Sequence, residues 1–230
     1  MKKFDPYFPV VYTPTYNDAE ALATSLDMMK DLKMKRLVVD GRYHGFPQIN
    51  DSDISTDDTQ EVCKQYDADY RIVSPCYEEQ KFTFAANTLH IEGHKIMMLC
   101  SSDERFTIVK EYLLPWLKHM CLDAEYPMSF HVLIDEKHPG HKYEQGAKML
   151  PKIFYNLGKI EAKHVHWAIY VKGTNQLLKA YPNPSVGIML HHDYTWRSKE
   201  RDGLMTAFQD TNVKREKRLL FKIGRDRAFA

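Results

Sequence analysis

The sequence carries no large excess of charge of either sign and no long apolar run. Its 32 Lys and Arg residues stand against 31 Asp and Glu residues, which gives a formal net charge of +1. Domains that bind duplex DNA carry a clear basic excess, so this balance argues against nucleic acid as a partner. No segment reaches the roughly 18 consecutive apolar residues of a membrane-spanning helix. Asp5, Pro6 and Pro9 interrupt the N-terminal segment where a signal peptide would have its apolar core. We therefore expect a cytoplasmic protein without a transmembrane segment.

Cysteine is also scarce. The four cysteines, Cys63, Cys76, Cys100 and Cys121, form no CxxC pair, so their spacing does not predict a zinc site built from cysteines. Cys63 and Cys100 lie within apolar patterns, as small buried residues do. A reducing compartment is the simplest context for such thiols, and the sequence leaves a disulfide open.

What the sequence does contain is an alternation of apolar runs and helical patterns in its first half. Short apolar runs at Val10–Tyr12, Leu37–Val39, Tyr70–Val73 and Lys95–Cys100 indicate strands. The segments between them carry apolar residues at helical spacing. This alternation predicts an α/β fold with a mostly parallel, Rossmann-like sheet flanked by helices.

The second half is less regular and predicts a mixed α+β arrangement. We expect a helix over Phe106–Met120, a strand over Ser129–Ile134 and a polar loop over Asp135–Gln145. Because no repeat or linker divides the 230 residues, the sequence predicts a single domain.

Polar residues follow the predicted strands at the points where the strands end. Thr13–Asn17 follows the first strand, Asp40 ends the second and Ser101–Glu104 follows the fourth. The carboxyl ends of parallel strands meet at one edge of a sheet, where the ligands of such folds bind. We therefore expect a ligand site at this edge.

The order of these motifs resembles family 2 glycosyltransferases with the A-type nucleotide-diphospho-sugar transferase fold. The matching segments are T-P-T-Y-N at 13–17, V-V-D at 38–40, S-T-D at 55–57 and the S-S-D-E that ends an apolar strand at 101–104. The resemblance covers about residues 8–106 and continues more loosely as far as Tyr194. It implies an enzyme that moves a sugar from a nucleotide-diphosphate donor to an acceptor, with inversion of configuration.

The resemblance also divides the predicted domain. It implies that residues of about 8–106 bind the nucleotide and that residues of about 107–211 face the acceptor. Residues 212–230 form a tail with a local basic excess, typical of a solvated helix face or of a peripheral contact with an anionic membrane surface. The acceptor stays open between a glycan, a lipid-linked group and a protein.

A divalent cation is implied, because the departing diphosphate carries charge that a metal neutralises. Asp103 matches the last Asp of the family's D-x-D, and His191 matches the histidine of a later H-x-G-Y segment. The resemblance therefore implies that these two residues hold Mn²⁺ or Mg²⁺. Two positions depart from the pattern, since Ser101 replaces the usual first Asp and Asp193 replaces the Gly. A hydroxyl is a weaker metal ligand than a carboxylate, which puts the metal affinity in question.

The nucleotide contacts that the resemblance implies lie at the strand ends and at the start of the third helix. Asp40 matches the family acid that hydrogen-bonds the base or the ribose. The other expected contacts are Thr13, Pro14, Thr15, Asn17, Gln80, Lys81 and Ser102. Structural alternatives stay open, because an acid at a strand end can cap a helix and Lys81 can be a solvated surface residue. Segment 41–54, called the insertion below, is longer than in the family and lies either over the nucleotide or on the surface.

The general base is not assigned by the resemblance, because Trp167 stands where an acid often follows the family histidine, here His166. Asp135, Glu136 and Glu161 are the candidates for deprotonating an acceptor hydroxyl. Trp167 or Trp196 can stack on a sugar ring or fill the core.

Two other function classes stay open. A nucleotidyltransferase on a similar scaffold would need a Gly-rich, basic loop after the first strand, and Thr13–Glu20 contains neither Gly nor a basic residue. A non-catalytic nucleotide- or sugar-binding module is favoured by Ser101 and by the absence of an acid after His166.

Overall fold

The computed structural model describes residues 5–122, 124–137, 148–164, 168–181, 188–193 and 203–204. The helices are α1 (Ala19–Met28), α2 (Thr59–Gln65), α3 (Glu78–Ile91) and α4 (Lys110–Leu122), with short 3-10 turns at Lys30–Leu32 and Leu157–Lys159. The strands are β1 (Val10–Thr15), β2 (Arg36–Asp40), β3 (Asp69–Ile72), β4 (Ile96–Leu99), β5 (Glu104–Ile108), β6 (Met128–Lys137), β7 (Lys148–Tyr155), β8 (Ile160–His164), β9 (Ala168–Val171), β10 (Ala180–Tyr181) and β11 (Ile188–Asp193).

The first four strands form the parallel half of a nine-stranded sheet, in the order β3-β2-β1-β4. β1 pairs in parallel with β2 and with β4, and β2 pairs in parallel with β3. β2 and β4 are buried along their whole length and β1 nearly so. Strands covered on both faces need apolar side chains on both faces, which explains their continuous apolar runs.

The second half extends the same sheet with mixed pairing. β7 runs antiparallel to β4, and β6 runs antiparallel to β7. β11 lies between β6, to which it is parallel, and β5, to which it is antiparallel, while β10 pairs in parallel with β6. β8 and β9 form a separate hairpin. The prediction of an α/β class, with a mostly parallel sheet and a mixed second half, is confirmed.

Helices cover both faces of the parallel half. α3 packs on one face, where it buries Phe82 and Leu89 against Tyr12 and Leu37. On the other face Leu22 of α1 packs in a cluster with Val38 of β2. Successive residues of β2 thus enter opposite layers, as the pleat of a strand requires. No helix among the described residues is both long and apolar enough to cross a membrane.

Two predictions of local structure are wrong. The segment 106–108, expected to begin a helix, belongs to β5, because it hydrogen-bonds to β11 far along the chain and buries Phe106. Asp135–Lys137 continues β6 instead of forming a loop, because it pairs with β11. α1 has Asp18 as its N-cap, and Asn17 before it has a left-handed backbone with φ 47°.

Candidate functional site

The carboxyl ends of the parallel strands lie side by side at one edge of the sheet. Thr15 at the end of β1 pairs with Asp40 at the end of β2. β4 pairs with β1, so Ser101–Glu104 follows at the same edge. The structure therefore brings together Thr13–Asn17, Asp40 and Ser101–Glu104, as the strand order predicts.

Asp40 is fully buried, and each of its carboxylate oxygens accepts two hydrogen bonds. Oδ1 accepts from the Gly41 N–H (2.6 Å) and from the Ser55 hydroxyl (2.6 Å). Oδ2 accepts from the Ser55 N–H (3.0 Å) and from the Tyr70 hydroxyl (2.6 Å). Burial and the bond to Asp40 raise the pKa of Tyr70 well above its usual value. Asp40 thus holds Ser55, the residue that follows the insertion, against β2, and its contact with a nucleotide stays a prediction.

Asn17 holds the segment that follows the insertion from the side of β1. Its Oδ1 accepts hydrogen bonds from the N–H groups of Thr56 (2.8 Å) and Asp57 (3.2 Å). Its own N–H donates to the Ser55 hydroxyl at 2.7 Å. Its Nδ2 is buried and has no hydrogen-bond partner within the part of the chain that the structure describes.

Two threonines of β1 bury hydroxyls that lack partners as well. Thr13 and Thr15, two residues apart on one strand, lie on the same face and are only 1% and 5% exposed. Neither Oγ1 has a hydrogen-bond partner among the described residues. A buried polar atom without a partner costs about 1–3 kcal/mol. The term polar triplet is used below for three buried atoms, Thr13 Oγ1, Thr15 Oγ1 and Asn17 Nδ2.

The insertion folds over the carboxyl edge. Arg42 Nε lies 2.5 Å from Asp53 Oδ1, which closes the insertion at its base. The Tyr16 hydroxyl donates to the Ser52 carbonyl at 2.5 Å, and the Tyr16 ring packs edge-on against Phe46 at 5.9 Å between centroids. These contacts pack the insertion against Tyr16, next to the end of β1, and its position over a nucleotide stays a prediction.

Lys81 is fully buried, so the alternative of a solvated surface lysine is wrong. Its Nζ donates to the carbonyls of Thr15 (3.0 Å) and Gly41 (2.6 Å) and lies 4.5 Å from the centroid of the Tyr43 ring. Lys81 thus ties the ends of β1 and β2 to the insertion. The neighbouring Gln80 accepts a hydrogen bond from the backbone N–H three residues earlier, at the start of α3. Diphosphate contacts of both residues stay predictions, as does any ligand contact of Pro14.

The turn between β4 and β5 carries the predicted metal ligand. Asp103 is fully buried in this turn. The Ser102 hydroxyl donates to the Asp18 carboxylate at the N-terminus of α1. The Ser101 N–H donates to Glu104 Oε2 at 2.8 Å, which closes the turn on itself. The metal role of Asp103 and the nucleotide role of Ser102 stay predictions.

His191 lies on β11, which pairs with β5, the strand that follows the same turn. Its backbone pairs with Arg105 of β5 on one side and with Asp135 of β6 on the other. Glu136 is the next residue of β6, so this register places two candidate bases on the strand beside His191. Among the described residues, no group of three or more His, Cys, Asp or Glu side chains is arranged to hold a metal ion.

Glu161 lies apart from these residues, in the separate β8–β9 hairpin. Its carboxylate accepts a hydrogen bond from the Gly173 N–H at 2.9 Å and lies 3.3 Å from Lys163 Nζ. The backbone bond, with a smaller effect of Lys163, lowers the pKa of Glu161, and a lowered pKa makes a weaker base. The structure does not bring Glu161 to the other candidates. His166, Trp167, Trp196 and the tail at 212–230 lie outside the described residues.

The sequence-based assignment missed two residues that support the site. Lys152 Nζ lies 2.9 Å from both carboxylate oxygens of Glu104, and the two side chains are only 1% and 6% exposed. Tyr70 completes the hydrogen bonding of Asp40. The sequence does carry a signal for Lys152, because a lysine within the apolar segment 149–155 is expected to be buried and a buried cation needs an acidic partner. Nothing local distinguishes Tyr70 from an ordinary strand tyrosine.

No protein-family model matches the chain, and no curated protein matches it either. Several solved structures are similar at low identity. S. aureus TarS 1-349 in complex with UDP is 14% identical over 65% of this chain and 47% of its own, with a TM-score of 0.44. HddC from Yersinia pseudotuberculosis is 11% identical over 76% of this chain and 90% of its own, with a TM-score of 0.45. The 4-diphosphocytidyl-2C-methyl-D-erythritol synthase from Anaerococcus prevotii is 10% identical over 90% of this chain and 99% of its own, with a TM-score of 0.43.

The chain spans only 28% to 47% of the TarS chains to which it is similar. The fold class assigned above rests on this chain's own strand order and pairing.

Proposed function

We propose that this chain is a glycosyltransferase that binds a nucleoside-diphosphate sugar at the carboxyl edge of its parallel strands. The observation that carries this proposal is the polar triplet, which lies at the edge where ligands of parallel sheets bind. Native proteins leave few buried polar atoms unpartnered, and those that remain call for an explanation such as a missing ligand. A nucleotide offers the hydroxyl, keto and ring-nitrogen groups that would complete these hydrogen bonds.

A nucleotide-diphospho-sugar transferase fold of the A-type is part of the proposal. It is supported by the order of the four sequence motifs and by the strand order β3-β2-β1-β4 followed by a mixed second half. The insertion over the carboxyl edge supports it further, because it adds aromatic side chains where a nucleobase would lie.

A hard divalent cation beside the β4–β5 turn is part of the proposal. Asp103 would supply a carboxylate oxygen and His191 an imidazole nitrogen. Mg²⁺ is commonly held by one or two carboxylates together with substrate phosphates and water, and an imidazole adds tolerance for Mn²⁺. When bound, the ion would neutralise charge on the diphosphate leaving group.

We assign deprotonation of the acceptor to Asp135 or Glu136, because the pairing of β6 with β11 puts Asp135 in register with His191 and Glu136 in register with His192. Either carboxylate would take the proton of the acceptor hydroxyl as its oxygen attacks the sugar carbon. Attack from the side opposite the diphosphate inverts the configuration at that carbon. The identity of the acceptor, and any peripheral membrane contact through the tail, remain part of the proposal.

Thermal unfolding in the presence of nucleotides tests the donor site. A ligand at about 100 times its Kd stabilises the folded chain by about 2.7 kcal/mol, so uridine or guanosine diphosphate with Mn²⁺ should raise the Tm by several degrees. Adenosine diphosphate with Mn²⁺ controls for the metal and for the diphosphate. An unchanged Tm with millimolar uridine and guanosine diphosphates removes the support for a nucleotide-diphosphate donor.

A non-catalytic binding module is the second candidate, favoured by the full burial of Asp103 and by Ser101 in place of a carboxylate. Incubation with a panel of nucleotide sugars separates the two candidates. Release of nucleoside diphosphate that depends on Mn²⁺ supports the enzyme. Binding of the same donors without release supports the module.

A further inference from the structure

The strand β3 forms one edge of the large sheet. It pairs with β2, and no other strand within the described ranges pairs with it. Its last two residues, Arg71 and Ile72, are exposed, and Ile72 is an apolar residue with 49% of its surface in solvent. An open edge of this kind presents backbone N–H and C=O groups to which a further strand can be added.

The pairing with β2 determines which residues of β3 present these groups. In a parallel ladder a residue bonds its neighbour with both its N–H and its C=O, and the next residue points the other way. The Val73 N–H donates to the Asp40 carbonyl at 2.9 Å, so Arg71, two residues earlier, also bonds β2. Tyr70 and Ile72 therefore direct their N–H and C=O groups away from β2, toward an added strand.

The side chains of this edge carry both signs of charge. Asp69 and Arg71 lie on one face of the strand, with Arg71 Nε 2.8 Å from Asp69 Oδ1. Lys35 Nζ lies 3.7 Å from Asp69, and Glu92 Oε1 lies 3.4 Å from Arg71. These two cations and two anions form a neutral group whose side chains are 23% to 46% exposed. An edge with a single sign of charge would repel a second copy of itself, whereas this edge does not.

A second copy of this chain places these charges in complementary positions. When two β3 strands meet antiparallel about a two-fold axis at Tyr70, Asp69 of each copy stands opposite Arg71 of the other. The two Tyr70 residues then face each other, and their outward N–H and C=O groups exchange two hydrogen bonds. Moving the axis by one residue in either direction places Arg71 opposite Arg71, or Asp69 opposite Asp69. Charge therefore selects the register about Tyr70.

We propose that β3 is the interface of a homodimer, in which the sheets of two copies join edge to edge through antiparallel pairing about Tyr70. The Ala68 N–H is already bonded to the Cys63 carbonyl at 2.9 Å, so the Ala68 carbonyl accepts the Ile72 N–H of the second copy. The exposed Ile72 side chain is removed from water at the same contact. A ladder this short gives a weak dimer, with a Kd in the micromolar range or above.

The oligomeric state of the wild-type chain is the first measurement, and it does not depend on the proposed function. Sedimentation equilibrium over roughly 1 µM to 1 mM covers the Kd values of weak interfaces. We expect a reversible shift from the mass of one chain to the mass of two as the concentration rises. A wild-type chain that stays monomeric over this range overturns the inference.

Arg71→Glu and Asp69→Lys test the register. Each change alone puts like charges opposite each other across the two-fold axis, so we expect the dimer Kd to rise at least about tenfold in each variant. In an equimolar mixture, each altered side chain faces the opposite charge on the other variant, and the mixed dimer should recover most of the lost affinity. This recovery also shows that both variants fold. An unchanged Kd in Arg71→Glu and Asp69→Lys would place the interface elsewhere and overturn the inference.

Lys118→Glu is the matched control. Lys118 is an exposed lysine of α4 that lies 3.5 Å from Asp5, and its charge reversal equals that of Arg71→Glu. The dimer Kd should stay within about twofold of the wild-type value, since surface substitutions usually have small effects. An equal loss of affinity in the two variants would mean that net charge controls the association, and would also overturn the inference.

Disulfide trapping tests the same register without relying on the charges. Across the proposed interface, Asp69 and Arg71 form a pair without mutual hydrogen bonds, whose Cα atoms lie about 4.5 Å apart, a separation that a disulfide can span. A mixture of Asp69→Cys and Arg71→Cys, oxidised with glutathione disulfide, should give more covalent dimer on a non-reducing gel than either variant alone. The native cysteines are buried and add little background. Equal yields from the mixture and from the single variants would contradict the register about Tyr70.

Discussion

Lys152 of β7 and Glu104, the first residue of β5, form a buried ion pair, with the lysine nitrogen 2.9 Å from both carboxylate oxygens. Glu104 also accepts the Ser101 N–H, so the pair fixes the turn that carries Asp103. A charge is costly to bury unless it is paired. This pair therefore links the mixed half of the sheet to the edge of the parallel half.

We expect Lys152→Met to destabilise the chain by about 3–5 kcal/mol, because it leaves the Glu104 carboxylate buried without its cation. Urea unfolding measures the loss. Lys35→Met is the control, since the Lys35–Glu92 pair is partly exposed, at 39% and 27%, and such surface pairs contribute about 0–1 kcal/mol. The double variant Lys152→Met/Glu104→Gln should recover part of the loss. Equal, small effects of the two lysine variants would contradict the structural role of the buried pair.

Tyr70→Phe should lower the free energy of unfolding by about 1–3 kcal/mol, because a buried carboxylate oxygen of Asp40 loses one of its two donors. Tyr66→Phe is the matched control, since the Tyr66 hydroxyl lies 3.4 Å from Asp27 on the surface. It should lower the free energy of unfolding by less than about 0.5 kcal/mol. Urea denaturation of both variants gives the comparison. If Tyr70→Phe is as stable as Tyr66→Phe, the hydrogen bonding of Asp40 is not what holds the insertion.

Asp103→Asn should abolish the part of nucleotide-induced stabilisation that depends on Mn²⁺, because an amide oxygen carries no charge for the metal. The change keeps the side-chain volume, so we expect the unliganded chain to fold. Asp58→Asn makes the same change at an exposed acid that precedes α2 and caps no backbone N–H. Thermal shifts with uridine diphosphate, with and without Mn²⁺, give the readout. An unchanged Mn²⁺ effect in Asp103→Asn would move the metal site elsewhere.

The native thiols should react slowly with thiol reagents. All four cysteines are buried, and burial raises the pKa of Cys63 and Cys121 to about 12. The unfolded chain ionises these thiols near pH 9, so it binds fewer protons than the folded chain between about pH 9 and 12. Stability contributed by the buried thiols is therefore lost as the pH rises through that window. Reagent kinetics in native buffer and in urea, with unfolding curves at pH 7 and 10, check both statements. Fast labelling of all four native thiols would contradict their burial.

The strand pattern of the parallel half can be read from the amino-acid sequence. β1, β2 and β4 are short, apolar and bounded by polar residues, and those properties belong to each segment alone. Their carboxyl ends therefore placed Thr15, Asp40 and the β4–β5 turn at one edge before any contact was known. Amphipathic spacing fixed α1, α2 and α3 in the same way.

The contacts of those polar residues depend on how distant segments pack together. Lys81, Asp40 and Asn17 each have a side chain that suits a ligand, yet each also serves a backbone group or hydroxyl brought near by folding. The segment 106–108 fits a helix by its local pattern and becomes a strand because β11 supplies its hydrogen bonds. Glu104 and Lys152 meet across the sheet from separate elements. Local propensity is a property of a few neighbouring residues, whereas burial and hydrogen-bond partners come from segments far apart in the chain, so only the folded structure assigns them.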